Sequence, residues 1–81
     1  MSRDEIKQRV RVVLARALKL EPGAIAESAS QTDLAQWDSV QHMNVVLGVE
    51  NEFEIEFDDA ELPDLTTLPL LVEAVAKHTG A

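Results

Sequence analysis

Cysteine is absent from the 81 residues, as is tyrosine, and glycine and proline number only three each. Without thiols there is no disulfide framework, no thiolate metal site and no cysteine nucleophile. Three scattered glycines, Gly23, Gly48 and Gly80, cannot build a phosphate-cradling loop. No apolar run approaches the length needed to cross a bilayer, so no membrane insertion is expected. The opening Met1-Ser2-Arg3-Asp4-Glu5 places acids where a signal peptide is basic and then apolar, which makes a cytoplasmic location the expectation. The length allows one domain, 1–81, and too little surface to enclose a deep active site.

Positive charge is also scarce over most of the chain. Beyond residue 20 the only basic side chain apart from histidine is Lys77, set against thirteen acids, and the whole chain carries a net charge of −8. Such a field repels nucleic acid and anionic membranes and steers basic protein partners. The first twenty residues are basic, but their Arg and Lys alternate with apolar residues at helical spacing. A solvated helix face explains them better than a nucleic-acid arm.

What is present reads as all-α. Ser2 and Glu5 have capping-box spacing, and Ile6, Val10, Val13, Leu14 and Ala17 form one stripe, predicting a helix from Ser2 to Lys19 stopped by Pro22-Gly23. A long polar loop follows, with Ile25 and Leu34 as its anchors to the core. Asp38 caps a second helix over Ser39 to Phe53. That helix has two apolar stripes: Val45, Val46, Val49 and Phe53 on one side, Val40, Met43 and Leu47 on another. A chain this small can bury only one of them. The second stripe, ringed by acids, is expected to dock partners.

Phe53-Glu54-Ile55-Glu56-Phe57 alternates like a strand but has nothing to pair with, so it is read as a helix end and loop with its apolar residues inward. Asp58 to Leu62 predicts one short helical turn ended by Pro63. Thr66 or Thr67 then caps a last helix through Leu68, Leu71, Val72 and Val75, closed by Gly80.

Three constellations bear on chemistry. Asp38, Ser39 and His42 hold the residue types of a hydrolytic triad, but adjacent Asp and Ser cannot bracket an imidazole one turn on. His42 is expected at the surface, and His78 at a helix end that favours a cation. The acids between Glu50 and Asp64 lack the glycine and the alternating oxygen ligands of a calcium loop, so no metal is expected. Ser39 follows an acid and opens a helix, where free backbone donors favour an attached phosphate ester over a nucleophilic role.

These features resemble the acyl carrier protein family over nearly the whole chain. The resemblance rests on Asp38-Ser39-Val40, on Phe53 fourteen residues after Ser39 behind Glu50 and Glu52, and on Leu65-Thr66-Thr67-Leu68. It implies a four-helix acyl-carrier-like bundle, with three longer helices, one short helix and a long loop between helices 1 and 2. It implies 4′-phosphopantetheine, taken from coenzyme A, on Ser39 beside Asp38, with an acyl or aminoacyl group held as a thioester on the arm's thiol. Partners implied are a phosphopantetheinyl transferase (holo-carrier synthase), an acyl- or aminoacyl-loading ligase, synthases and acyltransferases, met by Val40, Met43, Leu47 and Glu50. The protein would be a monomeric carrier and not a catalyst.

The sequence departs from the family in two places. Leu34-Ala35-Gln36-Trp37 stands where the family often has Leu-Gly and one further residue, which sets Trp37 beside the arm. Asn44 and Asn51 occupy positions that are often acidic in fatty-acid carriers, so a dedicated lipid or secondary-metabolite pathway fits at least as well. The alternative function is an unmodified acidic adaptor for a basic partner.

Overall fold

The computed structural model describes residues 2–80, which form three α-helices joined by loops and two 3-10 turns. Helix α1 spans Arg3–Leu18, α2 Ser39–Phe53 and α3 Leu68–Thr79; the 3-10 turns are Pro22–Ala24 and Leu62–Asp64. Among the described residues no helix is long and apolar enough to cross a membrane.

The Ser2 side chain accepts from the Glu5 N–H, and Ile6, Val10, Val13, Leu14 and Leu18 turn inward along α1. The helix ends within one residue of the expected Lys19, but the stop is made at Lys19 itself and not by Pro22-Gly23. Lys19 takes left-handed backbone at φ 58°, and the Leu20 N–H returns to the Ala15 carbonyl at 2.8 Å. Pro22 instead opens the first 3-10 turn, where its missing donor costs nothing.

The loop from Glu21 to Asp38 is held by side chains and by backbone. Ile25, Ala29 and Trp37 are buried, and Leu34 packs against the core at its edge. Two hydrogen bonds of 2.8 Å, Gln31 N–H to the Thr66 carbonyl and Leu68 N–H to the Ala29 carbonyl, stitch it to the start of α3. A loop with buried residues needs such partners for its polar groups.

Helix α1 packs against both α2 and α3. Its contact with α2 is close at Gly48, where a Cβ would lie 2.9 Å from Val13 Cγ1. Val45, Val46, Val49 and Phe53 face that core. At the far end Arg9 lies 4.7 Å above the Phe53 ring, and its Nε donates to Glu52 Oε2 at 2.8 Å. Glu54 ends α2 in left-handed backbone, and Phe57 is buried with Ile55 partly so, which agrees with a loop whose apolar residues face inward.

The short helix expected over Asp58 to Leu62 is displaced. A turn occupies 59–61, and the 3-10 element runs Leu62–Asp64 with Pro63 inside its first positions rather than beyond its end. Helix α3 follows the expected pattern: Thr67 Oγ1 accepts from Leu70 N–H, Pro69 sits in the first turn, and Gly80 closes it at φ 75°. Its last turn is tied back to the preceding loop by His78 Nε2, 3.0 Å from Glu61 Oε1.

The Asp58 N–H donated to Glu61, followed by His78, holds the Glu61 carboxyl below its ordinary value of 4.5. A depressed carboxyl stabilises the fold above its unfolded value, and that contribution is lost as pH falls through the folded value. The urea midpoint of Glu61→Gln should therefore lie below that of the wild type at pH 6, with the gap closing as pH drops below 4.5. A gap independent of pH would show that the carboxylate charge does not matter there.

Candidate functional site

The start of α2 gathers the residues singled out in the sequence. Asp38 is the N-cap, its Oδ1 accepting the Gln41 N–H at 2.8 Å. Ser39 is the first helical residue and is exposed. Down the same outer side run Val40, Met43 and Leu47, which are 71%, 46% and 51% exposed. Of the two stripes, this is the one left uncovered.

Glu50 is half-buried, and its Oε2 accepts the Phe57 N–H at 2.8 Å. Its carboxylate thus closes the loop after α2 over the helix as well as contributing charge. A groove of about 610 Å³ lies on this side, lined in part by Met43, Leu47, Glu50, Ile55 and Leu62. Asn44 and Asn51 are exposed, with Asn44 Nδ2 donating to Gln41 Oε1 at 3.0 Å.

His42 is not the surface residue expected. It is half-buried, and both ring nitrogens are engaged: Nδ1 faces Trp37 Nε1 at 2.9 Å, and Nε2 the Leu62 carbonyl at 2.9 Å. Trp37 is 1% exposed, so its ring lies in the core and not at the surface where an arm would run. An indole N–H only donates and a carbonyl only accepts. The ring must therefore be neutral, with its proton on Nε2. No nitrogen is left to take a proton from Ser39, and the Asp38 carboxylate is committed to the cap, so the triad geometry is not formed.

Chemically, the site offers a water-accessible hydroxyl on the first turn of a helix. Unpaired N–H groups and the helix dipole favour an anionic ester there. The exposed setting of Ser39 leaves room for one, and a covalent phosphodiester arm fits the residues present.

A family model described as a phosphopantetheine attachment site matches residues 8–75. The chain belongs to the acyl carrier protein family. An acyl carrier protein of Thermotoga maritima is 29% identical over 79 residues, covering 98% of each chain. One of Cyanidioschyzon merolae is 27% identical over 78 residues, covering 96% of this chain and 86% of the relative. The carrier is thus a non-catalytic protein, and the attachment site implies a covalent 4′-phosphopantetheine. As an acyl carrier protein it works with a phosphopantetheinyl transferase and with biosynthetic enzymes.

Sequence reasoning missed the bond between Trp37 and His42. Its signal was the lone Trp five residues before a His across a helix start. For the cap, Asp38→Ala should lower stability by about 1 kcal/mol in urea denaturation, and Asp38→Asn by only a few tenths. Equal stability of Asp38→Ala and wild type would mean that water replaces the cap.

Proposed function

We propose that Ser39 bears the 4′-phosphopantetheine and that residues 1–81 act as one monomeric cytoplasmic carrier domain. The exposed hydroxyl at the mouth of α2 carries this reading, because the exposed apolar stripe begins beside it. During attachment the Ser39 Oγ bonds to the pantetheine phosphate of coenzyme A. The bond from that phosphate to adenosine 3′,5′-bisphosphate breaks, and the hydroxyl proton passes to a base on the transferase. When bound, the arm supplies the thiol that this cysteine-free chain lacks, and the thiol holds an acyl or aminoacyl group as a thioester.

Val40, Met43 and Leu47 form the apolar part of the surface that receives the transferase, a loading ligase, synthases and acyltransferases. Glu50 and its acidic neighbours add the field. Long-range attraction of basic surfaces raises encounter rates without tight binding, which suits a carrier that visits several enzymes in turn. With the uncharged Asn44 and Asn51 on the exposed side of α2, a dedicated lipid or secondary-metabolite pathway fits at least as well as fatty-acid-like synthesis.

Incubation with a phosphopantetheinyl transferase and coenzyme A should add the mass of one arm, and Ser39→Ala should abolish the gain. An unchanged wild-type mass would favour the unmodified acidic adaptor. Met43→Glu should cut the modification kcat/KM about tenfold, as removal of a docking contact does, while circular dichroism stays unchanged. Parallel loss of helix and modification would place Met43 in the core.

A further inference from the structure

The segment that carries Ser39 is closed on itself at both ends. The His42 N–H donates to the Asp38 carbonyl at 2.8 Å, as the first backbone bond of α2. One residue outside that ring, the Trp37 indole donates to the same residue's Nδ1 at 2.9 Å. The two rings stack, with centroids 6.0 Å apart and planes 28° from parallel. Upstream, the Trp37 N–H is held by the Leu34 carbonyl at 2.9 Å. Across the fold, His42 Nε2 donates to the Leu62 carbonyl in the second 3-10 turn.

One imidazole therefore joins the end of the long loop, the first turn of α2 and the segment before α3. Ser39 lies within this closure, yet its side chain takes no part in it and stays exposed. Helix α2 has its own cap in Asp38, and its buried stripe already packs on α1. Holding the helix together does not require a second closure. The extra bonds do restrict how the turn at residues 37–39 can pivot against the core.

The geometry points to Trp37 and His42 as positioning residues for attachment: their hydrogen-bonded clasp holds the backbone that carries Ser39, and so the direction in which its side chain leaves the helix, for the attacking step. This rests on the attachment reading given above. A misplaced nucleophile loses rate at the chemical step, whereas docking depends on the stripe of Val40, Met43 and Leu47, which takes no part in the clasp's hydrogen bonds. The deficit should therefore fall on kcat and spare KM.

The test uses the full chain with His42→Ala, Trp37→Phe and His42→Gln, whose neutral amide can both accept and donate. The indole N–H resonance, read without transferase, should move in His42→Ala and return towards its wild-type position in His42→Gln. With transferase and coenzyme A, kcat should fall about tenfold in His42→Ala and Trp37→Phe, at unchanged KM and unchanged helix content, and His42→Gln should recover most of it. Wild-type kcat in both clasp variants overturns the positioning role, as does helix loss in step with modification. A wild-type chain that gains no mass removes the attachment reading, and the positioning role with it. The indole resonance tells that failure apart from absence of the clasp.

Discussion

A buried indole N–H must find an acceptor, and at the mouth of α2 that acceptor is a neutral histidine. Leaving such a donor unpaired costs about 1–3 kcal/mol, and the Trp37 to His42 bond ties the end of the loop to the first turn of the helix. The second ring nitrogen extends the constraint to the Leu62 carbonyl. Between these inward ties Ser39 stands exposed.

The same economy shapes the rest of α2. One side supplies the core with Val45, Val46, Val49 and Phe53. The opposite side leaves Val40, Met43 and Leu47 in water. Uncovered aliphatic side chains beside an acidic loop suit the proposed role of this surface, attraction of basic partners from a distance and a weak grip on contact. Catalysis would need a base near the hydroxyl, and the only nearby imidazole is spent on structure. A non-catalytic carrier needs no such base.

Much of this was legible in the sequence. Period and caps located α2 to the residue, because Asp38 and the Phe53 end are local signals. The division of its stripes followed from the size of the chain, which cannot bury both. The end of α1 fell within one residue of the expected Lys19, but its stop signal was not legible: Lys19 adopts left-handed backbone without the glycine that usually marks it, so Pro22-Gly23 was the louder signal. The short helix was misplaced for a similar reason. Pro63 is a terminator in an α-helix but a comfortable early residue in a 3-10 turn, and only the packing of Leu62 and Leu65 decides between them. His42 and Trp37 were set at the surface because their bond crosses a loop, where no periodic pattern applies. Glu50 was read only as a partner-facing residue, because a carboxylate closing on the backbone N–H of Phe57 leaves no mark in spacing.

The account stands on one side chain being the point of attachment. Tandem mass spectrometry of the chain after treatment with transferase and coenzyme A measures this directly, by locating the added mass along the backbone. Every fragment that contains Ser39 should carry it, and fragments holding only Ser2, Ser28 or Ser30 should not. Mass found on any of those three serines, with Ser39 unmodified, would contradict the account.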